Sequence, residues 1–359
     1  MKIAILEEYT RIGGGQNVVS DISEIYYKLG NHVDLFTDST HLYVTGKYEN
    51  IIPCNFSFNE HMNSIIILLK ALKLKKELSK IKGYDVIINN HPNIFLFKGD
   101  LNMMHTLSLI ESALDDEGMV KKHVLLELVK IAGTYKIYND SDFWVPGNFN
   151  KVVSERVFNI MGIKSVRFHI IPLPVRFPKL INLADKKKDQ VLIFGRINDE
   201  KKLELAIEMA KQSNLKFIIA GAVNPGNEDY YRFLVSNAPS NLKIIKNPDE
   251  IMKDRLFRES GIFLHLRRRE NFPISVLEGI AYGCIPVVPR YGGTWQDIVS
   301  KGKFGLGYET IAEGVEKLIQ ASGVSNEYRQ IILESRERFS ENLFAKRFLS
   351  LMHNLKTYK

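Results

Sequence analysis

The sequence predicts an α/β protein built from two doubly wound parallel sheets. The chain has 359 residues, which is long enough for two domains of ordinary size. Short apolar strands alternate with helically spaced segments in both halves, the pattern typical of parallel sheets with crossover helices. Between them, 176–190 contains Pro178 and a lysine run at 186–188 and loses apolar periodicity. We therefore expect domains at 1–178 and 179–340, followed by a final helix at 341–359.

Composition limits the class of protein. A hydrophobic content of 45% and a charged content of 25% are typical of soluble globular proteins. Cys54 and Cys284 offer neither a disulfide framework nor a zinc spacing, which favours a reducing cytosol. The amino terminus reads as a strand and not as a signal peptide, and the longest apolar run, 65–69, is too short to span a bilayer. We expect a cytoplasmic protein without a metal site.

The net charge of +8 favours an anionic partner, either a phosphorylated ligand or an acidic lipid surface. Nucleic acid is not expected, because no nucleic-acid motif accompanies the charge. The lipid alternative rests on a predicted helix at 62–82 with lysines along one side. That side is either a solvated surface or a peripheral contact with the anionic inner face of a membrane. These lysines are Lys70, Lys73, Lys76 and Lys80.

The first domain reads as a regular succession of elements. Strands are predicted at 2–6, 32–37, 84–89, 101–106 and 143–146, helices at 16–29, 62–82, 121–138 and 149–161, and 169–175 closes the domain. Gly14 and Gly15 precede the first helix, where backbone N–H groups can meet an anion or sugar hydroxyls. A dinucleotide fingerprint would need a further glycine at Val18, so a dehydrogenase is disfavoured.

His105 stands near the end of the fourth predicted strand. At the carboxyl end of a parallel strand it faces the ligand crevice, where it can hydrogen-bond a substrate or leaving group. The alternative is a structural hydrogen-bond donor.

The second domain begins a new series, with strands predicted at 191–195, 216–220, 242–246, 262–266 and 285–288. Gly195 and Arg196 end the first of these strands, and Lys201 opens the next helix. Two cations at one strand end are suited to a diphosphate, although a solvated basic loop is the alternative.

Two carboxylates mark the stretch 263–289, which reads as strand, loop, helix, glycine turn and strand. Glu270 lies in the loop at the strand end, and Glu278 lies one turn into the helix, so both point at the crevice. Pro273 suits the first helical position, and Gly283 is expected to end the helix. The alternative is an amphipathic helix with a solvated glutamate pair.

The spacing of these residues resembles the retaining glycosyltransferases of the GT-B fold, family 4, also called glycosyl transferases group 1. Glu270 and Glu278 match its E-x7-E signature, and Arg196 and Lys201 match its G-R-x4-K element. The glycine pair 292–293 resembles its G-G-x-x-E/D-I loop. The chain departs from the pattern at three positions, with lysine for glycine at Lys202, proline for a frequent glycine at Pro273, and asparagine for glutamate at Asn17.

The resemblance implies two Rossmann-like domains that face a cleft, an acceptor-binding first domain and a donor-binding second domain. It also implies that the final helix crosses back to the first domain. The activity implied is retaining transfer of a hexose from a UDP- or GDP-linked sugar to a hydroxyl acceptor, such as a glycan or lipid-linked sugar in glycan biosynthesis. No cofactor or metal is implied, because two basic groups supply the positive charge.

The resemblance also implies roles for single residues. Arg196 with Lys201 or Lys202 contacts the diphosphate, and Glu278 holds the ribose hydroxyls. Glu270 holds the sugar hydroxyls together with the amides of Asn271 and Phe272, and the helix starting at Pro273 points its positive end at the phosphates. The implied catalytic residues are His105, Arg196, Lys201 and Glu270, and the other implied donor contacts are Gly14, Gly15, Gly195, Asn271, Phe272, Pro273 and Glu278.

Two other functions fit parts of the sequence. A GT-B sugar-nucleotide epimerase would need acid–base groups suited to chemistry at the sugar 2-position, and the sequence does not identify them. A two-lobed sugar-binding protein without enzymatic activity would ordinarily be secreted and would not need the Arg196 and Lys201 pair.

Overall fold

A computed structural model describes residues 1–7, 14–38, 46–54, 81–92, 97–104, 133 and 135–357. Two compact units are present. Unit 1 comprises Met1–Leu173 and Asn342–Lys359, and unit 2 comprises Pro174–Glu341. His105, the lysine-bearing helix predicted at 62–82 and most of the helix predicted at 121–138 lie outside the described residues.

Unit 1 contains a parallel sheet. Its strands are β1 (Lys2–Leu6), β2 (His32–Asp38), β3 (Asn50–Cys54), β4 (Val86–Asn89), β5 (Leu101–Met103), β6 (Asp142–Val145) and β7 (Arg167–Ile170). Their order is β3-β2-β1-β4-β5-β6-β7. The sequence pattern did not predict β3, because it is a partly exposed edge strand with a proline, Pro53, and only two isoleucines in its middle.

The helices described in unit 1 are α1 (Gly14–Lys28), α2 (Asn148–Ile160) and, from the end of the chain, the helix Glu341–Thr357. The last helix buries Phe344, Phe348 and Leu351, the face expected from its spacing. Phe348 packs on Trp144 with ring centroids 5.0 Å apart, and the indole Nε1 donates to the carbonyl of Ile171 at 2.7 Å. Tertiary packing of this aromatic face holds the final helix on the unit 1 sheet.

Unit 2 contains the second parallel sheet. Its strands are β8 (Lys187–Phe194), β9 (Lys216–Gly221), β10 (Leu242–Lys246), β11 (Ser260–Leu264), β12 (Ile285–Pro289) and β13 (Leu306–Tyr308), in the order β10-β9-β8-β11-β12-β13. Its helices are α3 (Glu204–Lys211), α4 (Glu228–Asn237), α5 (Glu250–Glu259), α6 (Ile274–Ala281), α7 (Ile311–Ser322) and α8 (Asn326–Glu334). We name the final helix, Glu341–Thr357, α9. The prediction of two doubly wound α/β sheets is confirmed.

Both sheets have a topological switch point. In unit 1 the chain runs outward through β2 and β3 and then returns to β4 on the other side of β1. In unit 2 it runs outward through β9 and β10 and then returns to β11 on the other side of β8. In open parallel sheets ligands bind outside the carboxyl ends of the strands at this point.

Two boundaries differ from the prediction. The first strand of unit 2 begins at Lys187 and not at 191, so part of the lysine run belongs to β8 and not to the linker. Lys186 is buried, and its Nζ is satisfied there by donating to the carbonyl of Phe257 at 2.6 Å. Helix α6 begins at Ile274, and Pro273 is the residue before the first helical position. Gly283 follows its end with φ +77°, the conformation that favours glycine there.

No described helix is long and apolar enough to cross a membrane. Among the described residues, no group of three or more His, Cys, Asp or Glu side chains is placed to hold a metal ion.

Candidate functional site

An ion pair lies across the switch point of the unit 2 sheet. Lys201 ends a short 3-10 turn in the loop after β8, and Glu270 lies in the loop after β11. The Nζ atom of Lys201 donates to Oε2 of Glu270 at 2.7 Å. The two side chains are 21% and 16% exposed, so the pair is largely shielded while a ligand can still reach it. Two of the residues predicted for the site therefore meet.

Two further basic side chains lie close to Glu270. Arg267 Nη1 lies 3.7 Å and His265 Nε2 lies 4.0 Å from its Oε2 atom. Burial alone would raise the pKa of Glu270, but the charges around it, Lys201 foremost, lower it to about 2. The carboxylate is therefore ionised at neutral pH and can accept hydrogen bonds from ligand hydroxyls.

The glycine pair at 292–293 fixes the Glu270 loop. The N–H of Gly293 donates to the carbonyl of Glu270 at 2.9 Å. A Cβ atom on Gly293 would lie 1.7 Å from the carbonyl oxygen of Asn271, and one on Gly292, where φ is +80°, would lie 2.6 Å from that of Arg268. Only glycine permits this backbone approach, so the pair does more than cap the following helix.

A second close approach shapes the end of β8. A Cβ atom on Gly221 would lie 1.5 Å from the carbonyl oxygen of Gly195, so the strand β9 must end in glycine there. Arg196 follows directly and is partly exposed. Among the described residues it forms no ion pair within 4 Å, so the structure does not join Arg196 to the pair formed by Lys201 and Glu270.

Glu278 has a cation of its own. Nζ of Lys253, on α5, lies 2.7 Å from Oε1 of Glu278, on α6, and 5.6 Å from the ring centroid of Phe194. Burial raises the pKa of Glu278, and Lys253 opposes that shift. Glu270 and Glu278 thus lie near the same end of one strand–loop–helix unit but bind different lysines.

The adjacent lysines Lys201 and Lys202 differ in conformation and in contacts. Lys202 has φ +56° and ψ +39°, in the left-handed region, and its side chain is exposed. Lys201, and not Lys202, therefore makes the contact with Glu270. Glycine would adopt this conformation without strain, since it has no Cβ atom.

Replacing Lys202 with glycine should stabilise the protein. Relief of the left-handed strain outweighs the greater freedom of glycine in the unfolded chain, for a net gain of about 0.5–1 kcal/mol. Denaturant unfolding measures the change. Lys317→Gly, within α7, should instead cost about 1 kcal/mol. A loss of stability in Lys202→Gly as large as in Lys317→Gly would contradict the argument.

His265 should make unfolding sensitive to acid. Burial, opposed in part by Glu270, lowers its pKa from 6.5 to about 4. The unfolded chain therefore takes up a proton below pH 6.5 that the folded protein does not, and stability should fall by as much as roughly 3 kcal/mol as the pH approaches and passes 4. Thermal melts from pH 7 to 4 should show a shallower decline for His265→Gln. Parallel curves for the two proteins would refute this prediction.

The remaining predicted residues fall into three groups. Gly14 and Gly15 are the first residues of α1 and not part of a loop before it. Asn271 and Phe272 are buried directly beside Glu270. His105 lies outside the described residues.

The structure adds residues that the sequence analysis missed. His265 and Arg267 lie in the same loop after β11 as Glu270. The rule that ligands bind at the carboxyl ends of parallel strands, which identified Glu270, therefore applies to them as well. Lys253 carried no signal, because it is one of several charged residues on an amphipathic helix.

Comparison with known proteins agrees with this architecture. The family model described as Glycosyl transferases group 1 matches residues 179–343. A glycogen synthase of Acholeplasma laidlawii is 28% identical over 189 residues, which cover 48% of this chain and 40% of that protein. One from Clostridium kluyveri is 22% identical over 292 residues, 71% of this chain and 60% of that protein. The chain thus spans 40% to 60% of the length of these two relatives.

A GDP-Man:Man(3)GlcNAc(2)-PP-Dol alpha-1,2-mannosyltransferase of Dictyostelium discoideum is 30% identical over 105 residues, 28% of this chain and 21% of that protein. Among solved structures, sucrose-phosphate synthase from Thermosynechococcus elongatus aligns with a TM-score of 0.75 at 15% identity over all of both chains. Anabaena HepE in complex with UDP and glucose aligns with a TM-score of 0.68 at 15% identity over 99% of this chain and 100% of that one. These structures establish the shared fold.

Proposed function

Since the family model of glycosyl transferases group 1 matches residues 179–343, we propose that the protein is a retaining glycosyltransferase. It moves a hexose from a UDP- or GDP-linked sugar to a hydroxyl acceptor such as a glycan or a lipid-linked sugar. The observation that carries the proposal is the shielded ion pair between Lys201 and Glu270 at the switch point of the unit 2 sheet.

The positive charge of this site suits the leaving group. Negative charge develops on the departing diphosphate, so a cation fixed beside it stabilises the transition state more than the bound substrate. Lys201 has three N–H donors, of which Glu270 accepts one, so the ammonium group can also contact a phosphate oxygen. Arg196, at the end of β8, supplies a second cation, and the leaving group then needs no metal ion.

The carboxylates suit the hydroxyl groups of the donor. Glu270 remains ionised and accepts hydrogen bonds from the hexose, beside the backbone of Asn271 and Phe272. Glu278 accepts from the ribose, and its ion pair with Lys253 opposes the rise that burial causes in its pKa. Helix α6, which begins at Ile274, directs its positive end toward the same loop.

The named relatives support the substrate class. HepE is solved with UDP and glucose, and the curated relatives include glycogen synthases and a mannosyltransferase that uses GDP-Man. The donor is therefore a UDP- or GDP-linked hexose, and the acceptor belongs to the class of hydroxyl-bearing glycans.

Hydrolysis of a panel of nucleotide sugars tests the proposal. The protein is incubated with UDP-, GDP- and ADP-linked hexoses, and release of the nucleoside diphosphate and of the free sugar is followed by chromatography and NMR. We expect release from one nucleotide class, with the α-anomer formed first from an α-linked donor. Formation of an epimeric nucleotide sugar would favour the epimerase, and binding without turnover would favour the sugar-binding protein.

A further inference from the structure

A carboxylate and an imidazole lie across the switch point of the unit 1 sheet. Glu7 directly follows β1, and His91 lies two residues beyond β4. His91 Nε2 lies 2.8 Å from Oε1 of Glu7, although the residues are 84 positions apart. The strands β1 and β4 are the neighbours between which the chain reverses direction, so the pair occupies the place where open parallel sheets bind ligands.

The two side chains of this pair differ in burial. The Glu7 side chain is fully buried, whereas that of His91 is 19% exposed. A buried carboxylate is costly unless it is paired and hydrogen-bonded, so the imidazole contributes to stabilising Glu7. The carboxylate in turn orients the ring, and the exposed part of the ring is what a ligand meets.

Hydrogen bonds hold the backbone at both members of the pair, and the N–H of Glu7 donates to the carbonyl of Phe36 at 3.0 Å. The N–H of Asn90 donates to the carbonyl of Leu6 at 3.0 Å, which extends the pairing of β1 with β4 beyond both strands. The N–H of His91 donates to Oδ1 of Asn89 at 3.1 Å. A side chain held in this way is preorganised for a ligand and loses little freedom when it binds.

The two switch points carry different chemistry. In unit 2 the carboxylate is surrounded by lysine and arginine, which suits an anionic ligand. In unit 1 the described pair joins a carboxylate to an imidazole, and both groups hydrogen-bond well to the hydroxyl groups of a ligand such as a sugar. A sugar hydroxyl both donates and accepts hydrogen bonds, as an oriented imidazole requires of its partner.

We propose that Glu7 and His91 bind a hydroxyl group of the acceptor sugar and thereby determine how strongly transfer prevails over hydrolysis of the donor. The proposal rests on the proposed glycosyltransferase function. His91 contacts the acceptor, and Glu7 is the positioning residue that holds its ring. The pair forms no covalent bond with the sugar.

The test compares two rates in His91→Phe, His91→Gln and the wild-type protein. One is hydrolysis of the nucleotide sugar that the wild type turns over fastest, without acceptor. The other is transfer from that donor to maltotriose, methyl α-mannoside or octyl glucoside, whichever the wild type uses best. We expect His91→Phe to lower transfer at least tenfold, mainly through KM of the acceptor, with hydrolysis within twofold. His91→Gln should recover part of the transfer, because it keeps a hydrogen-bonding group.

His32→Phe is the matched control. His32 Nδ1 lies 2.5 Å from Oε1 of Glu49, but this pair sits at the amino ends of β2 and β3, away from the ligand edge. The His32→Phe variant should leave the rates of transfer and of hydrolysis unchanged. Glu7→Gln provides a second variant that keeps the side-chain volume, with at least a fivefold loss of transfer expected.

The outcomes that overturn the proposal are distinct. Equal losses of transfer and hydrolysis would assign the pair a structural role, and unchanged transfer would remove it from the acceptor site. Donor hydrolysis by the wild type without transfer to any of the three sugars would refute a sugar hydroxyl as its ligand. Failure to bind or hydrolyse any nucleotide sugar would refute the proposed function instead. In that case, ligand-detected NMR with maltotriose tests the role of the Glu7 and His91 pair by itself. Binding by the wild type that is lost in His91→Phe would support sugar binding by the pair. Binding that is unchanged in His91→Phe, or absent in the wild type, would refute it.

Discussion

Replacing Glu270 with glutamine should lower kcat/KM for the nucleotide sugar by about 100- to 1,000-fold, the effect typical of a lost preorganised charge. The variant keeps the side-chain shape but removes the charge that faces Lys201 at 2.7 Å and Arg267 at 3.7 Å. It also leaves these cations without their shared anion in a shielded site, so the loop itself should become less ordered. Initial rates of donor hydrolysis at saturating and limiting concentrations give both kcat and KM.

Glu259→Gln is the control for this variant. Glu259 also forms an ion pair, 2.6 Å from Nζ of Lys187, but it ends α5 and does not lie in the loop after β11. Its replacement should change kcat/KM by less than twofold. Near-wild-type turnover by Glu270→Gln, with the fold intact by circular dichroism, would remove Glu270 from the site.

Replacing Lys201 with alanine should lower kcat/KM by about 30- to 1,000-fold, equivalent to about 2–4 kcal/mol of transition-state stabilisation. Lys201 is the cation that the fold holds against Glu270, and the negative charge on the proposed leaving group increases in the transition state. The loss should therefore appear mainly in kcat. Arg196→Ala is expected to fall in the same range if both cations contact the diphosphate.

The adjacent residue supplies the comparison. Lys202→Ala removes an equal charge from the same loop but should leave kcat/KM within threefold. The reason is that the exposed Lys202 side chain starts from a left-handed backbone position and does not contact Glu270. The double variant Lys201→Ala with Glu270→Gln should lose less than the sum of the two single effects, since the residues interact directly. Strict additivity, or equal losses at positions 201 and 202, would refute the assignment to Lys201.

Hydrophobic periodicity predicted most of the described fold. β1 and β10 lie at the predicted residues, and α9 begins where expected, because buried strands and amphipathic helices leave regular patterns in the sequence. The edge strand β3 was missed, since a half-exposed strand with a proline has no such pattern. Glycine pairs were readable as turns, but the reason that Gly293 tolerates no side chain required the position of Asn271.

For the candidate site, the sequence by itself determined which charged residues stand at strand ends, because a strand followed by a polar loop is a local pattern. Only the tertiary structure decided how they pair. Glu270 meets Lys201 from 69 positions away, and Glu278 meets Lys253 on another helix. The backbone conformation of Lys202 likewise distinguished two adjacent lysines that are identical in chemistry. Pairing depends on strand order and loop conformation, which arise from contacts between distant segments and leave no periodic signal in the chain.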